Sequence, residues 1–170
     1  MAIRRATAAD AAAVSEFARR TFIDTFAAQN RPEDMEMYLA ATYNERKQLS
    51  ELQNENVITV LSEEDGAING FAQMRRGPSP SCVTGTSALE VVRFYVDRSW
   101  HGRGIAQELM RTIEDTARAL NAETIWLGVW ERNDRAIAFY RKLGFATVGS
   151  QPFILGTDVQ TDHVMMKTIA

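Results

Sequence analysis

The chain has 170 residues, 45% of them hydrophobic and 24% charged, with a formal net charge of −3, which describes a globular chain with a real core and disfavours direct nucleic-acid binding. Its one cysteine, Cys82, excludes an intrachain disulfide and a cysteine-based metal cluster, and two histidines add no metal site. No apolar run approaches the roughly 20 residues of a membrane span, and MAIRRATAAD has no apolar signal region, so a cytoplasmic location is expected.

The elements follow in chain order as one domain over residues 1–170. AIRRAT reads as a short strand, and Thr7 or Asp10 is placed to cap a helix in which Val14, Phe17, Ala18, Thr21, Phe22, Thr25 and Phe26 recur at helical spacing. NRPEDMEMYLAATY predicts a second helix, with Pro32 in its first turn and Glu33 and Asp34 beside it, where the dipole favours acids. VITVLSE and GFAQMRR are strands joined by the turn EEDGAING. Residues 77–88, GPSPSCVTGTSA, read as a mobile loop. LEVVRFYVD is a strand, and GIAQELMRTIEDTARAL is a helix with Ile105, Leu109, Ile113, Ala117 and Leu120 on one stripe. ETIWLGVW is a strand, and NDRAIAFYRKLG a helix capped by Asn133 or Asp134 and ended by Gly144. FATVGSQPFIL and DHVMMKTI close the chain as strands, joined by the loop GTDVQTD. This order predicts an α/β (α+β) fold: a mixed, mostly antiparallel sheet of about seven strands flanked by about four helices.

The turn DRSWHGRGIA carries the first chemical signal. Glycines at 102 and 104 remove Cβ atoms, so backbone N–H groups can approach a ligand closely. The helix that follows aims its positive end at the same point, and Arg103 adds charge, so the turn suits an anion such as pyrophosphate. Neither a P-loop nor a dinucleotide fingerprint fits; the latter would need a glycine where Gln107 stands.

Residues 101–106, HGRGIA, followed by a strand and then NDRAIAFYRKLGF, resemble the GNAT superfamily of acetyl-CoA-dependent N-acetyltransferases. His101 departs from the arginine or glutamine usual at its position, whereas Asn133, Ala136, Phe139, Tyr140, Gly144 and Phe145 meet the second signature in full. Within the superfamily, IWLGVWERNDRAIAFYRKLGF and the C-terminal G-x-x-x-Q-T-D-x-x-M-x-K are similar to the PaiA-type acetyltransferases of spermidine and spermine.

The resemblance implies acetyl-CoA as co-substrate, no metal, and a small-molecule primary amine as acceptor, with a homodimer left open. It implies that Phe94, Tyr95 and Val96 pair their backbone with the pantetheine arm. His101, Gly102, Arg103, Gly104, Ile105 and Ala106 would wrap the pyrophosphate, and Asn133 would bond the pantetheine or acetyl end, or serve only as helix cap. Tyr140 is the expected acid, because a phenol with a pKa of about 10 is protonated at neutral pH and can protonate a leaving thiolate. Glu90 is the expected base; alternation along the strand would put it on one face with Val92, Phe94 and Val96.

The resemblance also implies that the first two helices and the last hairpin wall the acceptor site, where the acids Asp24, Glu33, Asp34, Glu36 and Asp162 would attract a polycation. Trp130, which shares a strand face with Trp126, would flank an aliphatic chain. His163 is expected to be structural. Two other readings stay open: the same chemistry on a peptide N-terminus, an amino acid or a drug amine, and a CoA-binding regulator without turnover.

Overall fold

The computed structural model describes residues 1–169. One seven-stranded sheet runs in the order β1-β2-β3-β4-β5-β7-β6. Its strands are β1 (Ala2–Arg5), β2 (Val57–Glu64), β3 (Ala67–Arg76), β4 (Ala88–Val96), β5 (Thr124–Trp130), β6 (Ala146–Leu155) and β7 (Asp158–Thr168). Only the β4–β5 pair is parallel. The helices are α1 (Ala11–Phe26), α2 (Pro32–Thr42), α3 (Glu45–Leu52), α4 (Ile105–Ala119) and α5 (Asp134–Lys142). The expected mixed sheet is present, and none of the helices is long and apolar enough to cross a membrane.

Two apolar layers sandwich the sheet. On one face, α4 buries Ile105, Leu109, Ile113 and Ala117 against Ala72, Met74, Leu89 and Val91. That is the stripe its sequence spacing predicts, with Leu120 packed at its edge. On the other face, Val14, Phe17 and Phe22 of α1 and Met35 and Leu39 of α2 pack on Leu61 and Phe71.

Three features differ from the sequence reading. Helix α3 was not anticipated, because ERKQLSEL carries few apolar residues; it forms with Asn44 as N-cap, accepting from Lys47 N at 2.8 Å. The 77–88 segment is pinned rather than mobile: Val83 is buried against Trp126 and Val164. Thr124 Oγ1 donates to Thr84 O and Thr86 N to Glu123 Oε2, each at 2.7 Å. The final hairpin is tighter than expected, turning on Gly156 and Thr157 alone, with Gly156 at φ +61°. The segment read as a loop therefore supplies strand residues 158–161, paired to 152–155.

Candidate active site

The cleft begins where two strands part. β4 and β5 pair from Ala88–Thr124 to Val91–Leu127 and no further. Beyond that point β4 still pairs with β3 on its other side, so the β5-facing backbone edge of Phe94, Tyr95 and Val96 is open, with unpaired peptide groups to offer. A cleft of about 700 Å³ fills the gap. It is lined by these three residues, by the turn after β4, by α5, and by groups from α1, α2 and the β6–β7 hairpin.

The glycine turn closes one end. Gly102 and Gly104 have φ of +80° and +83°, and a Cβ on either would meet nothing within 4 Å. Packing within the chain thus leaves room there; the backbone conformation demands glycine, and the open space suits a phosphate group approaching the start of α4. His101 Nε2 lies 2.9 Å from Val96 O, tying the turn to the strand end. Arg103 does not act as expected: its guanidinium stacks over Trp100, 4.6 Å from the ring centroid, and its side chain is not part of the cleft lining. Arg98 and Arg135, which the sequence reading passed over, do line the cleft.

Tyr140 sits on the cleft wall in a ring of aromatics formed by Phe94, Phe139 and Phe145. Burial raises its pKa above the usual phenol value, so it keeps its proton at neutral pH. Asn133 also lines the cleft, and its side chain caps α5 by accepting from Ala136 N at 3.2 Å. Both readings of that residue are thereby compatible.

Glu90 is placed differently from its expected geometry. A β-bulge intervenes: Gln73 faces Arg93 while Met74 faces Val91, leaving Val92 as an extra residue. The bulge reverses the alternation. Phe94 and Val96 pack toward α4, whereas Glu90 lies opposite Arg75 on the other face, where it still lines the cleft. There both Nε and Nη2 of Arg75 donate to Glu90 Oε2, at 3.0 and 2.7 Å. Arg93, the residue after the bulge, is held by Glu51 and Gln73 and lies over the Tyr43 ring. The buried ion pair holds the Glu51 carboxyl below its ordinary range.

The acceptor side takes up only some of the expected acids. Asp24, Asp162 and Trp130 line the cleft. Glu33 and Glu36 are exposed on α2, away from it. Asp34 is buried but serves structure: its Oδ1 accepts from Thr157 N and Thr157 Oγ1, each at 2.7 Å, docking the hairpin turn on α2. Those hydrogen bonds hold its carboxyl below the ordinary range. Trp126 shares Trp130's sheet face but lies under the 77–87 loop. His163 and Cys82 are not part of the cleft lining; Cys82 packs against Gly149.

Aromatic rings that the sequence reading did not assign complete this side. Phe26 lies 6.1 Å from Trp130, and Tyr38 5.4 Å from Phe153. Gln151 and Gln160 also line it, Gln160 Nε2 donating to Asn30 Oδ1 at 2.6 Å. Gln160 stands in the Q-T-D run, and its alternation with Asp162 along β7 was the available signal. Asp162 is only 8% exposed, and burial alone pushes its carboxyl up to about 6; no basic side chain offsets that penalty.

A splayed parallel strand pair, a glycine turn leading into a helix and a buried phenol thus meet on one cleft. Residues 13–145 match the family model described as acetyltransferase (GNAT) family, and the chain belongs to that family. It is an acetyl-CoA-dependent N-acetyltransferase. The chain is 32% identical over 151 residues to an uncharacterized N-acetyltransferase of Lactobacillus delbrueckii subsp. lactis, covering 89% of this chain and 87% of that one. It is 24% identical over 106 residues to a probable spermine N(1)-acetyltransferase of Bacillus subtilis subsp. natto, covering 62% and 66%. In fold it is similar to the PaiA N-acetyltransferase of Thermoplasma acidophilum solved with coenzyme A, with a TM-score of 0.80, 22% identity and 98% of each chain covered.

Proposed function

We propose that the protein acetylates a primary amine of a small polycation, of the polyamine class, by direct transfer within a ternary complex. One observation carries this reading: the acceptor side of the cleft holds two carboxylates, Asp24 and Asp162, without basic partners, among aromatic walls. The cationic groups on the donor side are Arg98, Arg135 and the amides of the glycine turn, while the charge of Arg93 is neutralised by Glu51. Such a cleft draws an anion to one end and a cation to the other. The likeness to a spermine acetyltransferase supports the same acceptor class.

When bound, acetyl-CoA supplies the activated thioester. The open edge of β4 from Phe94 to Val96 hydrogen-bonds the pantetheine amides, and the amides of residues 102–106 hold the pyrophosphate. Asn133 orients the acetyl end. Tyr140 donates its phenolic proton to the departing sulfur.

Thiol release from acetyl-CoA tests this with spermidine, spermine and a lysine peptide as acceptors. Turnover on the polyamines is expected, with kcat lowered about 10²–10³-fold in Tyr140→Phe and the KM for acetyl-CoA unchanged. Turnover on the peptide alone would discard the polyamine acceptor.

A further inference from the structure

The acceptor's proton needs a destination. Glu90 and Asp162 both line the cleft on the sheet face opposite α4, but Glu90 is already paired with Arg75. We infer that Asp162 is the base: its carboxylate receives the acceptor ammonium at the floor of the cleft and takes one of its protons. This assignment rests on the amine-acceptor reading above.

Gly128 is the first β5 residue beyond the paired stretch with β4, so it marks the point where the strands part. A Cβ at Gly128 would stand 3.0 Å from Asp162 Oδ2 and 2.7 Å from Gln151 Nε2. The missing side chain is what lets these two groups from the hairpin lie over the strand at the fork. Asp162 faces Trp130 across the β5–β7 ladder and Gln151 across the β6–β7 ladder. The carboxylate is therefore fixed by strand pairing, not carried on a loop. It is also the cleft acid whose burial has no cationic compensation, so an arriving ammonium supplies the missing charge.

The titratable groups sharing the cleft are Asp24 on α1, Tyr38 on α2, Tyr43 after it, Glu90, Arg93 and Tyr95 on β4, Arg98 and His101 in the turn after β4, and Arg135 and Tyr140 on α5. Arg93 is taken by Glu51 and Glu90 by Arg75. A carboxyl pushed up to about 6 is a stronger base than an ordinary aspartate yet remains ionised at neutral pH.

The protons balance. The ammonium gives one proton to Asp162, and the freed nitrogen lone pair forms the N–C bond as the C–S bond breaks. Tyr140 Oη protonates the departing sulfur and regains a proton from the acylated nitrogen. Asp162 then releases its proton to water, so each turnover yields one amide, one thiol and one proton.

The test compares pH profiles of kcat/KM for the amine in wild type, Asp162→Asn, Asp162→Glu and Glu90→Gln, each checked for folding by circular dichroism. Wild type should show an acidic limb near pH 6. Asp162→Asn should lose that limb and about 10²–10³-fold in rate, with the KM for acetyl-CoA unchanged. Asp162→Glu should recover a limb, and Glu90→Gln should keep it. A limb that persists in Asp162→Asn, or vanishes in Glu90→Gln, overturns the assignment. If no amine in the polyamine panel turns over, the acceptor reading fails by itself. The base is then read by carbon NMR of the labelled Asp162 carboxyl in CoA-loaded protein, titrated with and without propylamine and spermidine. Titration near pH 6, lowered by either amine, supports the role; a carboxyl that neither amine moves overturns it.

Discussion

Replacing Asp162 by asparagine should make the protein more stable at alkaline pH, even as it impairs the enzyme. The carboxyl is buried without a cation, and its folded pKa stands at about 6 against an ordinary 3.8. Here the folded state binds the proton more tightly than the unfolded chain. The contribution of Asp162 to stability is thus greatest below pH 4, falls as pH rises between about 4 and 6, and stays reduced above. Full ionisation across that difference is worth about 3 kcal/mol, and water in the cleft screens part of it, leaving about 1–2 kcal/mol. Asparagine keeps the shape and never ionises. At pH 8 the variant should melt roughly 2–6 °C above wild type, and at pH 4 the two should coincide. Thermal unfolding followed by circular dichroism at pH 4, 6 and 8 measures this. A difference that does not change with pH, or a variant less stable than wild type at pH 8, would refute the view of Asp162 as an uncompensated buried charge.

Other perturbations report on separate parts of the site. Gly104→Ala should cost about 1–2 kcal/mol in urea unfolding, since alanine is strained at φ +83°, and should raise the KM for acetyl-CoA more than it lowers kcat. Glu51→Gln leaves the buried Arg93 guanidinium without its counter-charge and should destabilise by about 3 kcal/mol in the same assay. Asp34→Ala removes both hydrogen bonds to Thr157 and should speed amide exchange through residues 156–161, read by mass spectrometry. The Asp34 carboxyl is held low when folded, so its contribution is present above the unfolded carboxylate pKa and is lost as pH falls through the folded value. The gap in exchange between variant and wild type should therefore narrow in acid.

What the sequence disclosed was local. The α4 stripe, the glycine pair at 102 and 104, and the Asn133–Tyr140 run depend on neighbours within a few residues, and each lies where its spacing placed it. Long-range placement was hidden. Nothing near Val92 marks the bulge, because LEVVRFYVD alternates no less plausibly without one; its register depends on pairing with β3. Asp34 reads as a first-turn acid, and its real partner, Thr157, lies 123 residues away. Asp162 was assigned to the acceptor site by its charge and by the family resemblance of its hairpin. Its burial without an ion pair, and the space that Gly128 leaves for it, belong to the assembled sheet.

The tether between Asp34 and Thr157, joined by that between Asn30 and Gln160, sets an order for synthesis on the ribosome. The glycine turn, β4, β5, α4 and α5 all lie within residues 88–142, so the donor side can assemble from a contiguous stretch. The acceptor side joins α1 and α2 to the hairpin of β6 and β7, and it must wait for residues 146–168, which are made after the donor side. A nascent chain thus completes the strands and turn proposed to hold the donor before it can build the side proposed to select the amine.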